Sequence, residues 1–433
     1  MSEQHVLSRR KFLQLAALAT ASTFVAACGA KTETGSSGPS APASAQITLQ
    51  QWYHEYGEEG CQEAVYRIAD EYNKSQDKVK VEVTWAPGDY DAKLNSALAA
   101  GTGPDVYESG LNIDRVRNNY VVPLDDLFPP DIKADFDDKD LTYNTLEGKV
   151  WGVRMIIDLG LMYYRKSMLD SAGVTVPKTF DELMAAGEKL TTGRTKGIFL
   201  GNDGGGIMWD QAARAAGVTF IDANNKLLFN TPVLANAWLK AKELYDSGSL
   251  LTGSPQDWWD PAAFVQGLCA CCWGGFWMMP EVTRQLGDDF VVTAFPPVQI
   301  PNGSPTSSTF WGGWVEFVNG QSKHIDESKA FVKWQWIDNI EWQNEWATAY
   351  GYHIPPRKSA AEANKEFDAG NPLIAKEALY AYGWSFGPMW TGAMGTAVGD
   401  AYWRVVRDGA NPEAEIQKAY ETAQAELDRQ LKG

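Results

Sequence analysis

The sequence between residues 47 and 431 alternates between a strand-like and a helix-like hydrophobic period. Residues 79–85 alternate apolar and polar side chains singly, and residues 47–53 also have the composition of a strand. Between these two segments, apolar residues recur at helical spacing, namely Ala64, Val65, Ile68, Ala69 and Tyr72. Strands and helices that alternate in this way are typical of an α/β fold, in which helices flank a sheet.

Three further helices have recognisable first residues. The stretch 179–182 is a capping box, in which Thr179 accepts a hydrogen bond from the backbone and Glu182 reaches back to it, and it predicts a helix to about residue 190. The pairs 231–232 and 411–412 each place a capping residue before a proline at the first helical position. They predict helices that end near residues 245 and 431.

The N-terminal region has the pattern of a targeting segment rather than of a fold. Residues 8–14 (SRRKFLQ) resemble a twin-arginine export signal, and the apolar run that follows is too short for a permanent membrane span, which is the alternative interpretation. Residues 25–28 (VAAC) resemble the lipobox of bacterial lipoproteins, so we expect residues 1–27 to be a signal peptide and Cys28 to be acylated. Residues 28–46, rich in Gly, Ser, Pro and Ala, are expected to form a flexible tether.

The remaining chain is long and acidic. About 387 residues follow the first 46 of 433, more than one hydrophobic core usually holds, which predicts two domains or lobes. The formal charge of the whole chain is −17. Residues 1–27 carry three cations and one Glu, a net charge of +2, so their cleavage leaves a charge of −19. This charge excludes nucleic acid as an expected partner and disfavours an anionic solute.

Four cysteines remain once Cys28 is acylated, Cys61 alone and three within 269–272 (CACC). A metal site would need a second pair of ligands, and the three histidines of this region show no ligand spacing, so we expect no metal. The cluster lies in the short apolar run 264–273, which favours small buried residues in a strand. A disulfide to Cys61 is the open alternative.

Four short segments carry a resemblance to a known family. They are 99–106 (AAGTGPDV), 148–183 (which begins GKVWGV), 264–277 (FVQGLCACCWGGFW) and 351–357 (GYHIPPR). Taken in this order they resemble the family 1 extracellular solute-binding proteins of bacterial ABC importers. The second segment is the strongest match, although Arg165 stands where the family usually has Asn, and cysteines replace the usual small residue and Met in the third.

The resemblance implies an α/β, two-lobed fold like that of periplasmic binding proteins, in which each lobe is a sheet flanked by helices. The ligand would lie in a cleft between the lobes, which close by a hinge motion, and would be delivered to the permease subunits of an ABC transporter. The chain crossings near 154–158 and 299–307 are the candidate hinges. By the same analogy the N-terminal lobe comprises residues 47–156 and 305–345, and the C-terminal lobe residues 157–304 and 346–433.

The aromatic content favours a sugar as the solute. The chain has 18 Trp, 17 Tyr and 17 Phe. An indole ring offers a flat apolar surface to the C–H face of a pyranose, while carboxylates and amides bind the hydroxyls. Trp277 is the first stacking candidate, because it follows Gly274 and Gly275 at a place where the resemblance implies an aromatic residue that faces the ligand, and packing in the core is the alternative. Weaker candidates lie beside Gly, Asp or Ser, namely Trp209, Trp273, Trp311, Trp314, Trp384 and Trp390.

Polar candidates come from the carboxyl ends of strands, where solutes bind in open α/β sheets. Three follow the first strand, three follow the strand that begins near residue 104, and one lies at the first crossing. A solvated surface role is the alternative for each. They are His54, Glu55 and Tyr56, then Glu108, Ser109 and Asn112, and finally Asp158.

Two other functions stay open. A secreted glycoside hydrolase would share the Trp residues and paired carboxylates, but the sequence has no G-x-S-x-G, H-E-x-x-H or Walker motif. A two-lobed protein could instead bind a peptide, a polyamine or a metal complex. We therefore expect a monomeric, cofactor-free, non-enzymatic sugar-binding lipoprotein, held at the outer side of the cell membrane.

Overall fold

The computed structural model describes residues 46–432, in which two main β-sheets are present. The first sheet has the strand order β2-β1-β3-β12-β6 and the second has the order β10-β7-β9-β8, with two-stranded ladders β11-β13 and β4-β5 beside them. The strands are β1 Ile47–His54, β2 Val79–Ala86, β3 Val106–Ser109, β4 Thr145–Leu146, β5 Lys149–Val150, β6 Val153–Arg154, β7 Gly160–Arg165, β8 Lys196–Phe199, β9 Cys269–Gly275, β10 Phe290–Thr293, β11 Thr309–Phe310, β12 Val315–Val318 and β13 Gly383–Trp384.

Each main sheet mixes parallel and antiparallel neighbours. Strand β1 pairs in parallel with β2 and β3, whereas β12 runs antiparallel to β3 and β6. In the second sheet, β7 is antiparallel to β10 and β9, and β8 is parallel to β9. The chain therefore leaves the first sheet after β6, builds the second sheet, and returns to contribute β12. These strands fall within the residue ranges expected for two lobes, while the exact lobe boundaries stay a prediction.

Helices pack on these sheets. Several of these helices begin at residues that local sequence signals predict. The helices are α1 Cys61–Ser75, α2 Tyr90–Ala99, α3 Ile113–Arg117, α4 Pro130–Asp135, α5 Asp138–Tyr143, α6 Lys166–Ala172, α7 Phe180–Leu190, α8 Met208–Ala215, α9 Pro232–Asp246, α10 Ala262–Val265, α11 Met279–Leu286, α12 Ile325–Val332, α13 Ile340–Thr348, α14 Lys358–Ala363, α15 Gly370–Tyr382, α16 Gly392–Val406 and α17 Pro412–Lys432, with a π-helical segment at Lys333–Asp338.

The predicted helix starts are confirmed by the capping hydrogen bonds. Thr179 accepts from the Glu182 backbone N–H at 3.1 Å, and Thr231 accepts from that of Leu234 at 3.3 Å. The capping box differs from the expectation in one respect, since the Glu182 carboxylate accepts from the backbone N–H of Lys178 rather than from that of Thr179. The Thr179 cap is therefore at the expected position, and only the donor to the Glu182 carboxylate is displaced, to the residue before the N-cap.

Helix α7 approaches strand β8 very closely at a pair of glycines. A Cβ atom built on Gly197 would lie 2.0 Å from the carbonyl oxygen of Gly187, which is backbone and cannot rotate away. A Cβ on Gly187 would lie 2.6 Å from the Cδ1 atom of Ile198. The absence of side chains at both positions thus sets the distance between helix and sheet.

Three segments link the two sheets and pair with one another. Asp158 and Gly312 exchange both backbone hydrogen bonds, at 3.3 and 2.9 Å, and Ile157 and Ile354 do the same at 2.9 Å. The first segment lies where the sequence predicted a crossing, at 154–158. The expected second crossing at 299–307 is wrong, because Ser304 donates its backbone N–H to the Ala216 carbonyl just after α8. The second crossing lies instead next to Gly312.

The cysteine cluster lies inside the protein. Cys269, Cys271 and Cys272 are fully buried in β9, and Cys61 is buried at the start of α1. All four are free thiols, so the disulfide alternative is not realised in this structure. The interpretation as small buried residues in a strand is confirmed.

The N-terminal expectations concern a part of the chain outside the described residues. They comprise the signal peptide 1–27, the acylated Cys28 and all of the tether except its last residue, Gln46. Within residues 46–432, no helix combines the length and apolar character that crossing a bilayer requires.

Candidate functional site

A large cavity opens between the two sheets. Its volume is about 1420 Å³. One side is formed by the loop after β1 and by residues of the linking segments, and the other side is formed by residues 256–285. We call this space the large cavity, and its lining comprises His54, Glu55, Tyr56, Gly57, Glu58, Glu59, Asp158, Gln256, Trp259, Asp260, Pro261, Ala262, Val265, Gln266, Trp277, Met278, Pro280, Glu281, Arg284, Gln285, Trp314, Tyr350 and His353.

Glu108 holds two residues of the lining from behind. Its carboxylate accepts hydrogen bonds from the backbone N–H and the Nδ1 atom of His54, at 2.6 and 2.5 Å, and from the hydroxyl of Tyr56 at 2.6 Å. Burial, together with the charge of Glu108, raises the pKa of Tyr56 well above its usual value, so this hydroxyl stays a donor. Because Glu108 is fully buried on β3, it fixes the orientation of the His54 and Tyr56 rings.

His353 links two carboxylates at the inner end of the large cavity. Its Nδ1 atom lies 2.5 Å from Asp158 and its Nε2 atom 3.4 Å from Glu58. Burial alone would lower the pKa of His353, but the two carboxylates raise it to about 10. Burial alone would raise the pKa of Glu58, and the hydrogen bond from His353 lowers it. The imidazole is therefore protonated at neutral pH and joins a linking segment to the loop after β1.

Indole rings form much of the apolar surface. Trp314 stacks on the His54 ring with centroids 4.0 Å apart and planes at 26°. Trp277 donates its Nε1–H to the carbonyl of Trp259 at 3.0 Å. The Trp259 side chain is 53% exposed and is among the most exposed large apolar residues of the described chain. Flat apolar platforms thus face the large cavity from both of its sides.

A second, smaller cavity adjoins the first. Trp258 lines it and packs against Trp277 of the large cavity, with ring centroids 5.9 Å apart. We call this space of about 260 Å³ the small cavity, and its lining comprises Ile207, Trp209, Asp210, Gln211, Trp258, Trp273, Phe310, Trp311, Trp384, Ser385 and Phe386.

Asp210 is the ionisable residue of the small cavity. It lies in the first turn of α8, and burial raises its pKa to about 7, although the backbone N–H of Gln211 and the charge of Arg214 act in the opposite direction. Arg214, one turn further along α8, makes no ion pair with it. The guanidinium carbon of Arg214 lies instead 4.3 Å from the centroid of the Trp384 ring. The Asp210 carboxyl group therefore lies among aromatic rings, with no cation within ion-pair distance in the described chain.

The structure brings ten of the fourteen predicted residues to the two cavities. Six of them line the large cavity and four line the small cavity. They are His54, Glu55, Tyr56, Asp158, Trp277 and Trp314 in the large cavity, and Trp209, Trp273, Trp311 and Trp384 in the small cavity.

Four predicted residues lie outside both cavities. Glu108 lies behind His54 and Tyr56, as described above. Ser109 accepts from the Arg115 guanidinium at 2.6 Å, and Asn112 caps α3 by accepting from the Arg115 backbone N–H at 3.0 Å. Trp390 is partly buried and packs against the core, with its ring stacked on that of Phe386 at a centroid distance of 4.6 Å and an interplanar angle of 18°. Their polar groups or rings are thus occupied by neighbours within the protein.

Sequence reasoning missed several residues of the lining. Trp258 and Trp259 satisfy the same rule that selected the other Trp residues, since both stand beside Asp, and they could have been found. Glu58 follows β1 closely and could also have been included. His353 and Asp210 had no local signal, because their importance depends on partners far away in the sequence.

The fold and the cavity define a class of protein, a two-lobed α/β protein with a large cavity between its two main sheets. The chain belongs to the bacterial extracellular solute-binding protein family, whose model matches residues 67–375. The resemblance predicted from the four motifs is therefore confirmed.

Two characterised relatives come from Bacillus subtilis. An arabinooligosaccharide-binding protein is 26% identical over 324 residues, which cover 71% of this chain and 72% of the relative. A maltodextrin-binding protein is 27% identical over 278 residues, which cover 59% of this chain and 60% of the relative. These relatives, like the family, are binding proteins.

Solved structures confirm the predicted fold. A solute-binding protein of an ABC transporter from Thermotoga lettingae, bound with α-D-tagatose, superposes with a TM-score of 0.75 at 20% identity and covers 88% of this chain and 100% of its own. The GacH receptor of Streptomyces glaucescens has a TM-score of 0.75 at 22% identity and covers 88% of this chain and 99% of its own. At these identities the likeness defines the fold alone.

Proposed function

We propose that this protein captures a sugar, in particular an oligosaccharide, in the large cavity and delivers it to the permease of an ABC transporter. The observation that carries the proposal is the cavity itself. Its volume of about 1420 Å³ exceeds the roughly 300–1,000 Å³ of ordinary small-molecule pockets, so it has room for more than one sugar ring. The two relatives that bind arabinooligosaccharides and maltodextrins support the same class of solute.

The lining supplies both kinds of contact that a pyranose needs. Trp277, Trp259 and Trp314 offer ring faces for the C–H surface of the sugar. Glu55 and Asp158 accept hydrogen bonds from hydroxyls, and charge-assisted bonds of this kind are the stronger ones. Five Trp residues line the small cavity, and four of them were predicted from the sequence; they would extend the aromatic surface.

We also propose that the protein does not alter its ligand. The family consists of binding proteins, which favours capture over a glycoside hydrolase. Product analysis separates the two functions. After long incubation with a bound oligosaccharide, chromatography should return that oligosaccharide intact, and the appearance of shorter sugars would require the hydrolase alternative.

The test of sugar capture is a titration of intrinsic tryptophan fluorescence with a panel of monosaccharides and oligosaccharides. We expect a saturable change with at least one sugar, and we expect Trp277→Ala to weaken the binding about tenfold, since it removes a stacking surface. Trp390→Phe is the matched control, because Trp390 lies outside both cavities. A response to peptides or polyamines but to no sugar would contradict the proposed solute.

The location of the protein forms the last part of the proposal. We propose that residues 1–27 direct twin-arginine export, that Cys28 is acylated, and that the monomeric protein is thereby held at the outer side of the cell membrane by its tether. Cys28→Ala should abolish lipid labelling and release the protein from the membrane fraction while ligand binding persists. Lipid labelling that survives this substitution would refute the anchoring site.

A further inference from the structure

The charged groups of the large cavity are predominantly acidic. Two cations stand against six carboxylates. Arg284 binds Glu281 at 2.5 Å, and His353 is shared between Asp158 and Glu58. The buried Glu108 binds His54 and adds a negative charge behind the lining of the large cavity. The carboxylates without a cation within ion-pair distance among the described residues are Glu55, Glu59 and Asp260.

These free carboxylates lie on both sides of the space. Glu55 and Glu59 are exposed in the loop after β1, and Asp260 lies opposite, just before α10. A ligand that spans the cavity displaces the water that screens them, and the electrostatic interactions become stronger in the drier space. A neutral ligand leaves the excess negative charge uncompensated, whereas a positively charged one offsets it.

The small cavity places a single carboxyl group among aromatic rings. Asp210 shares its lining with five Trp side chains, and Arg214 is directed onto Trp384 rather than onto the carboxyl group. Aromatic faces attract cations through the ring quadrupole. A partly buried carboxylate is poorly solvated and gains most from a charged donor that enters the same cavity. Aromatic rings around one carboxylate therefore suit a protonated amine.

We propose that the natural ligand is a sugar that carries a protonated amine, either an amino sugar or an oligosaccharide that contains one, and that the amine binds Asp210 in the small cavity. The excess carboxylates of the large cavity attract the same charge and favour the approach of the ligand. This inference rests on the sugar capture proposed above and narrows it to one chemical class.

The test compares matched sugars by isothermal titration calorimetry on the unmodified protein. Mono- to tetrasaccharides of glucose, galactose and mannose configuration are each measured as the neutral sugar, the free-amine sugar and the N-acetylated sugar. We expect a free-amine form to bind about tenfold or more tightly than its two counterparts. The preference should decrease as salt is added, because salt screens exposed charges.

Variants then locate the amine. Asp210→Asn should reduce the preference for the free amine about tenfold or more, because a charge-assisted hydrogen bond is lost. The double variant Glu55→Gln/Glu59→Gln should reduce it only about two- to fivefold, as expected for exposed carboxylates. Asp131→Asn, which removes one exposed charge from α4 away from both cavities, should leave it unchanged.

The outcomes separate this inference from the proposed function. If neutral or N-acetylated sugars bind as tightly as the free-amine forms, the inference is overturned while sugar capture stands. A preference that survives Asp210→Asn in a folded variant would also overturn the assignment to Asp210. If no saccharide in any form binds, the inference and the proposed function both fail.

Discussion

Replacement of His353 by Gln should remove a pH-dependent contribution to the stability of the protein. The His353 imidazole is buried between Asp158 and Glu58, which raise its pKa from 6.5 to about 10. A rise of this size corresponds to about 5 kcal/mol of folding free energy when the imidazole is charged, since each pKa unit represents about 1.4 kcal/mol. Gln has a similar length and hydrogen-bonding capacity but cannot carry the proton.

The sign follows from the direction of the shift. Because the folded-state pKa lies above the unfolded one, the stabilisation is complete below about pH 6.5 and is lost as the pH rises through about 10. The difference in unfolding free energy between the two proteins should therefore shrink by about 3 kcal/mol between about pH 6 and about pH 9.

Urea unfolding followed by tryptophan fluorescence measures this difference, and groups that titrate equally in both proteins cancel. His324→Gln is the matched control, because the His324 side chain makes none of the ion pairs found in residues 46–432. A difference that stays constant over this pH range would refute the reasoning, since it would mean that His353 does not bind its proton more tightly in the folded state.

Three further predictions concern buried groups. Glu108→Gln should lower the unfolding free energy by about 2 kcal/mol and weaken ligand binding, because it loses charge-assisted hydrogen bonds to the cavity lining. The control Glu63→Gln, at an exposed position, should do neither, and an unaltered urea midpoint of Glu108→Gln would contradict the proposed role of Glu108 in holding the lining. Gly197→Ala should lower the unfolding free energy, measured by urea unfolding, by more than about 3 kcal/mol, since the new Cβ would lie 2.0 Å from the carbonyl oxygen of Gly187. Near-native stability of this variant would show that helix α7 can shift. The thiols should react with a disulfide reagent only after unfolding, because burial raises the pKa of Cys271 to about 12; rapid reaction of the native protein would contradict their burial.

Much of the fold could be read from the sequence because its signals are local. The single alternation along 79–85 reports a strand with one buried face, and the capping residues Thr179 and Thr231 mark helix starts through bonds to residues three positions away. The four motifs added the family, and through it the two-lobed arrangement. The second crossing was misplaced because nothing near residues 299–307 indicates that this segment pairs with α8.

The candidate site could be predicted only in part. The strand-end rule brought His54, Glu55 and Tyr56 to the large cavity, but it also selected Ser109 and Asn112, whose polar groups are satisfied by Arg115. From the sequence, a residue that binds a neighbour cannot be distinguished from one that faces a ligand, because both follow a strand in the same way.

The sequence by itself determined the strand and helix pattern, the family and the aromatic character of the site. Only the tertiary structure decided which side chains meet. Asp158 and His353 are 195 positions apart, yet their side chains are in contact. Asp210 becomes unusual only because distant Trp residues surround it. Local patterns report what a residue does to its own backbone, whereas burial, charge pairing and cavity shape depend on how remote segments pack together.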